Sequence, residues 1–211
     1  MTASLLFTPI KLGRVELPNR IVISPMCQYS AIDGNVNDWH HAHLGSLSLS
    51  GAGLLYIEAT SVTSEGRITP GCVGLYSEQN FQALKKLVNS LRAVSPIKIA
   101  IQLGHAGRKA SSRRPWEGGE LMTPSEGGWT TFAPSAIAYK EGEIAPTELS
   151  KQQIKELIQS FSVSARRARE LGLEVIEVHA AHGYLLHEFL SPLSNARTDE
   201  YGGSLENRMR F

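Results

Sequence analysis

The sequence predicts an α/β fold, a (β/α)8 TIM barrel of which this chain supplies an N-terminal hairpin and about the first four βα units. Three observations carry that expectation. Short apolar runs of strand length alternate with stretches of helical spacing, which implies parallel strands joined by right-handed crossovers. The turn after the first strand, Ser24-Pro25-Met26-Cys27, has no GxGxxG pattern and cannot cradle a pyrophosphate as a dinucleotide-type doubly wound sheet would. Polar residues cluster just after the strand C-termini, which in a barrel is the catalytic face. A complete barrel needs about 250 residues. The 211 residues here read as one domain, 1–211, forming a little over half of it.

Residues 5–18, with Leu12-Gly13-Arg14-Val15, suggest a small hairpin ahead of the core. Ile21-Val22-Ile23 is the first strand, and Asp38 to about Ser50 the first helix. Leu54-Leu55-Tyr56-Ile57 is the second strand; a helix after Ser77 follows, with Phe81, Leu84, Val88 and Leu91 as its buried stripe. Ile97 to Leu103 is the third strand. Residues 111–147 then leave the alternation, with Pro115, Pro124, Pro134 and Pro146 and two Gly-Gly pairs. Long excursions of this kind in compact domains often act as lids. Lys151 to Leu171 is the clearest helix, with a capping box at Ser150 and Gln153 and a terminating glycine at Gly172. Val175-Ile176-Glu177-Val178 is the fourth strand.

Composition narrows the function. With 21 basic and 20 acidic residues, the formal charge of +1 gives no electrostatic case for nucleic acid or an anionic membrane. Two cysteines, Cys27 and Cys72, cannot make a disulfide framework or a Cys-rich zinc site. No apolar run approaches the roughly 18 residues of a membrane span, and Met1-Thr2-Ala3-Ser4 lacks the basic start of a signal peptide. The expectation is a soluble protein of a reducing compartment, the cytoplasm.

The chemistry gathers after the fourth strand, in His179-Ala180-Ala181-His182-Gly183-Tyr184. Two imidazole donors over one point can hold a carbonyl oxygen and stabilise the charge it acquires. The same pair could bind zinc if His105 or Glu58 supplied a third ligand, or could simply be packed and hydrogen-bonded. Tyr184 could donate a proton, because phenol stays protonated at neutral pH. A ring packed for structure is the blander use. Cys27 could be a nucleophile or a ligand contact, though buried free cysteines are more often inert. Gln102 ends the third strand, where its amide could pair with the edge of a heterocycle. His40, His41 and His43 open a helix and are expected mostly at the surface, since near neighbours do not share a helix face.

Taken together these motifs resemble the old yellow enzyme family of FMN-dependent ene-reductases. The resemblance rests on Leu17-Pro18-Asn19-Arg20 through Tyr29, Gly66-Arg67-Ile68-Thr69, Gln102-Leu103-Gly104-His105-Ala106-Gly107-Arg108-Lys109 and Ala133-Pro134-Ser135-Ala136-Ile137. Its longest stretch runs from His179 to Pro192 and on through Asn195, Arg197 and Gly202-Gly203 to Arg208. Cys27 and Tyr29 are similar to the thermophilic-like or xenobiotic-reductase branch. The resemblance implies a TIM barrel with FMN as cofactor and NADPH or NADH as reductant. It places Ser24, Pro25, Met26 and Cys27 along the flavin, with Ala59 and Gln102 against its ring. It gives His179 and His182 the substrate oxygen, Tyr184 the proton and Tyr29 a positioning role, with no metal. The partners implied are small activated alkenes (enones, nitroalkenes, related xenobiotics), and the complete protein is expected to be a homo-oligomer. The family's phosphate loops belong to later strands, so the chain is expected to be truncated. Three other readings stay open. One is a dienoyl-CoA reductase, whose iron–sulfur cluster has no motif here. The others are a metal-dependent hydrolase using His105, His179 and His182, and a non-catalytic truncated relative.

Overall fold

The computed structural model describes residues 4–211. Met1-Thr2-Ala3, which open the segment read above as lacking a signal region, lie outside them. Strands β1 (Ile10–Leu12) and β2 (Val15–Leu17) pair antiparallel. Gly13 supplies the positive φ of 59° that this tight turn needs. Leu17 is buried against Leu54 and Ala100, so the expected hairpin plugs the N-terminal end of the main sheet.

That sheet holds β3 (Val22–Ile23), β4 (Leu54–Ser61), β5 (Lys98–Gly104) and, fourth, the strand Val175–Val178. All pairs are parallel, and the strands lie in chain order. A doubly wound sheet reverses its strand order at a switch point, and this one does not. It is an arc of a barrel. The crossovers run through α1 (Asp38–Ser48), α2 (Glu78–Val94) and α3 (Lys151–Glu170), each opened by a capping box, at Asn37, Ser77 and Ser150. Gly172 follows α3 with φ 72°, as its place after the helix predicts. Between β5 and α3, short strands β6 (Phe132–Ala133) and β7 (Thr147–Glu148) pair with each other. Val175–Val178 is therefore β8, followed by α4 (Leu185–Leu190) and α5 (Leu205–Arg208). Among the described residues, no helix is long and apolar enough to cross a membrane.

Outward residues of the central strands, Leu55, Ile57, Ile99, Ile101 and Leu103, bury against Leu84, Leu87, Val88 and Leu91 of α2 and Ala168 of α3. Inward residues form layers: Tyr56, Ala100 and Val175, then Ala59, Gln102 and Glu177. The second layer depends on a bulge in β4. Ile57 pairs with Ile101 but Ala59 pairs with Gln102, leaving Glu58 as the extra residue. A bulge re-aims side chains, and this one turns Ala59 inward while Glu58 points to α1.

The excursion 111–147 is packed, with 3-10 turns at Pro115–Glu117 and Pro124–Glu126. The Trp129 indole donates to the Glu65 carbonyl at 2.8 Å. Arg197 anchors it at the other side. Its guanidinium is bidentate to Asp199 and donates to the carbonyls of Pro134 and Leu149, tying the two flanks of the excursion together.

One expectation is overturned. His40 is not a surface residue; it is wholly buried on the α1 face that carries Leu44 and Ser48. Its Nδ1 accepts from the Asn37 N–H at 3.2 Å, which leaves the proton on Nε2, 3.8 Å from a Glu58 oxygen. Nδ1 is thus satisfied, while among the described residues the buried Nε2 has no hydrogen-bond partner. His41 and His43 are half-exposed, and the His41 ring meets the Ser90 hydroxyl at 3.0 Å.

Candidate active site

The C-terminal ends of β3, β4, β5 and β8 form one rim. His179 continues β8, its N–H donating to the Leu103 carbonyl at 2.8 Å. Its side chain is buried, and Nδ1 accepts from the Ala181 N–H at 3.3 Å. The ring proton therefore sits on Nε2, aimed away from the backbone. Burial first, and His182 next, hold the His179 pKa below the ordinary imidazole value, so the ring is a neutral donor.

His182 and Gly183 both take left-handed backbone, at φ 57° and 74°, and the Tyr184 N–H closes the turn on the Ala181 carbonyl at 3.1 Å. A positive φ at histidine is strained and recurs at functional sites. The strain is held by Lys109, whose Nζ donates to the His182 carbonyl at 2.8 Å. The turn brings the rings together. His179 and His182 lie 5.1 Å apart at 78°, His179 and Tyr184 4.9 Å at 85°. Tyr184 sits at the start of α4, which docks through Leu185 and Phe189 into a small core with Leu149, Ile154 and Leu157. Burial pushes its phenol well above the ordinary value, so it carries its proton across the neutral range.

Tyr29 also has a positive φ, 51°. The Arg114 Nε–H donates to its carbonyl at 2.9 Å, and Trp116 meets its ring edge-on at 5.7 Å. Both come from the proline-rich excursion, which thus reaches the rim. Burial raises the Tyr29 phenol to about 12. Ser24 and Met26 are exposed on the rim, while Pro25 and Cys27 are half-buried. Ala59 is half-buried beside Gln102, whose amide donates to Glu177 at 2.6 Å. Ser24, Pro25, Met26, Cys27, Ala59, Gln102, His179, His182, Tyr184 and Tyr29 thus all lie on or just below one strand-end face.

The third ligand of a zinc reading does not join them. His105 is buried against Gly66, and its Nδ1 accepts from the Gly107 N–H at 3.0 Å. Among the described residues no three His, Cys, Asp or Glu side chains converge to hold a metal ion.

The fold gives three residues here roles that the sequence did not assign them. Lys109, besides holding the His182 turn, lies 4.9 Å from the Tyr184 ring and 5.0 Å from that of Tyr139. It lines a cavity of about 290 Å³ with Tyr29 and Tyr139. Glu177 organises the inner layer by accepting from Gln102. Glu58, turned out by the bulge, accepts from the Gln28 N–H at 3.0 Å and so steadies the segment carrying Cys27.

Burial raises Glu58 to about 8, and Glu188 likewise. The folded chain therefore keeps protons that the unfolded chain releases near pH 4.5. This contribution is complete below that pH and is lost as pH rises toward 8, against the opposite trend of buried His40 and His105, whose pKa values burial lowers to about 4. Glu58→Gln keeps an acceptor for Gln28 and cannot ionise. It is expected to remove the Glu58 share of that decline, about equal to the share of Glu188, and so to flatten the pH slope. Urea melts at pH 5 and pH 8 measure it; an unchanged pH slope rules the assignment out.

A family profile described as NADH:flavin oxidoreductase / NADH oxidase matches residues 5–211. An NADH:flavin oxidoreductase of Gibberella zeae is 50% identical over 208 residues, covering 97% of this chain and 50% of that protein. An NADPH dehydrogenase of Bacillus subtilis is 48% identical over 208 residues, covering 98% of this chain and 57% of that one. Among solved structures, morphinone reductase in complex with tetrahydroNAD superposes with a TM-score of 0.84 at 30% identity, over 99% of this chain and 58% of its own. An old yellow enzyme from Pichia sp. gives 0.83 at 30%, over 98% and 53%. The chain thus spans about half the length of these relatives.

Proposed function

Since the chain belongs to the NADH:flavin oxidoreductase / NADH oxidase family, we propose that the complete protein is an ene-reductase acting on activated C=C bonds. The family's flavin is FMN, with NADPH or NADH as reductant. The residues present suit a flavin. Ala59 offers a small side chain beside a flat ring, the Gln102 amide can pair with a heterocycle edge, and the exposed Ser24–Met26 rim leaves backbone free to approach. When bound, FMN supplies the hydride; this chain's residues supply placement and the proton.

The observation that carries the proposal is the ring triad. The Nε2–H of His179 and the His182 ring hold a carbonyl or nitro oxygen of the substrate, withdrawing charge from the conjugated alkene. Tyr184, close to His179 and still protonated, delivers the proton to the carbon next to the activating group. Tyr29, braced by Arg114 and Trp116, closes the side of the substrate.

The test is binding of phenols, which mimic the substrate oxygen, to the purified flavin-loaded protein. His179→Ala removes a hydrogen bond to a charged group, worth about 1.5–3 kcal/mol, and so is expected to weaken phenol binding by about 10–100-fold. FMN content should stay unchanged. Wild-type phenol affinity in both His179→Ala and His182→Ala defeats the proposal.

A further inference from the structure

Arg108 and Lys109, in the 3-10 turn after β5, are two cations that no carboxylate balances. Among the described residues neither side chain has an Asp or Glu oxygen at ion-pair distance, whereas nearby Arg113 pairs with Glu126 and Arg114 with Glu117. Both stand over the Tyr139 ring, the Arg108 guanidinium 5.8 Å and the Lys109 Nζ 5.0 Å from its centroid. An aromatic face attracts each cation, but like charges over one ring repel each other.

Their donors are only partly used. Lys109 gives one N–H to the His182 carbonyl, and an ammonium has two more. The Arg108 Nη1 donates to the carbonyls of Ile137 and Ala138 at 3.1 and 3.2 Å. Its Nε is buried and, among the described residues, has no partner. Spare donors on two uncompensated cations suit an oxyanion of more than one charge.

The space for one is present. Arg108 and Lys109 line the cavity of about 290 Å³ together with Tyr29, Tyr139 and Lys140. Lys140 is 58% exposed, its Nζ 3.9 Å from Glu143. Enclosing a drug-sized ligand takes about 300–1,000 Å³, so the cavity suits a phosphate with its ribose and not a whole dinucleotide. Its place is equally specific. Tyr29 belongs to the strand-end rim, and Lys109 lies 4.9 Å from the Tyr184 ring, so the cavity adjoins the ring triad.

We propose that this cavity is a phosphate subsite for the reduced nicotinamide dinucleotide, with Arg108 and Lys109 as its principal contacts and Lys140 as a weaker third. The proposal rests on the flavin reading above. A nicotinamide at the strand-end face carries its nearest phosphate one ribose away, and the cavity receives it there. An uncharged alkene has no group for these cations. The subsite therefore separates the reductant from the substrate that follows it on the same face.

The experiment uses the complete, flavin-loaded protein and the unreactive analogues tetrahydroNADPH and tetrahydroNADH, with binding read by calorimetry. Wild-type affinity should fall as salt rises, because salt screens the contact. Arg108→Gln is expected to weaken tetrahydroNADPH by about 10–100-fold, the loss of a charge-assisted hydrogen bond, and Arg108→Lys should recover part of it. Lys140→Met, a change at an exposed position, should weaken it by about 1.5–5-fold. Equal losses for both analogues assign the diphosphate; a loss confined to tetrahydroNADPH assigns the 2′-phosphate. N-benzyl-1,4-dihydronicotinamide carries the same reactive ring without a phosphate, so its rate of flavin reduction should be far less sensitive to salt and to Arg108→Gln. FMN content identifies a variant that fails to fold, and the wild-type salt series and Lys140→Met then decide. Salt-independent binding of tetrahydroNADPH overturns the subsite, as does an equal loss for the benzyl compound; flavin reduction by NADPH in the same preparation shows that the flavin reading survives. FMN that neither NADPH nor NADH reduces defeats that reading and the subsite with it.

Discussion

Tyr184→Phe is expected to slow protonation of the substrate carbon by about 10²–10⁴-fold, the usual cost of losing a placed general acid. The substitution is conservative everywhere except at the hydroxyl. The ring can keep its edge contact with His179, 4.9 Å between centroids, and the backbone N–H still closes the turn on Ala181. The docking of α4 rests on Leu185 and Phe189, which are untouched. Stopped-flow absorbance separates the two half-reactions of the complete, flavin-loaded enzyme. Reduction by NADPH should proceed nearly as in the wild type, and only reoxidation by the alkene should slow. Burial holds the Tyr184 phenol above its ordinary range, so the wild-type reoxidation rate should show no loss from Tyr184 ionisation between pH 6 and 9. A variant slowed only in the reductive half-reaction removes Tyr184 from the role of acid.

The parts of the molecule that follow from local physics were readable in the sequence. The β4 and β5 runs are buried on both faces, which makes a strand continuously apolar. The Gly13 turn, the Ser150–Gln153 box and Gly172 each encode a backbone conformation in a side chain, or in the lack of one. What stayed hidden depends on partners brought by the fold. His40 looks like any polar residue in the first turn of a helix until the Asn37 N–H meets its Nδ1 and α1 packs it inward. The bulge has no signature in Ile57-Glu58-Ala59, yet it decides which of Glu58 and Ala59 faces the barrel interior. Lys109 reaches the His182 carbonyl across a sequence separation of 73 residues. The strand-end placement of the candidate site residues, by contrast, was legible because barrels place chemistry at strand ends. The close grouping of His179, His182 and Tyr184 in sequence becomes a grouping in space through one tight turn.

Residues 1–211 produced alone are expected to lose FMN and to self-associate. Among the described residues, β3 and β8 each have a single neighbour in the main sheet, so both present unpaired edges. Their apolar side chains are also poorly covered, with Val22 46% and Val178 53% exposed. Register puts Val22 on the inner face beside Leu54 and Val178 on the outer face beside Leu103, so neither surface of the arc is closed at its margins. Open edges and apolar patches of this kind drive association between chains. The flavin would meanwhile keep only the ring contacts offered by Ser24 to Cys27, Ala59 and Gln102. Charge-assisted contacts to a phosphate are roughly twice as strong as neutral hydrogen bonds, and the resemblance assigns them to strands that follow these. Size-exclusion chromatography with flavin absorbance reads both outcomes after dialysis. The expected result is colourless protein eluting as a dimer or larger species. A yellow monomer with one FMN per chain would mean that the ring contacts of these four strands suffice to hold the cofactor.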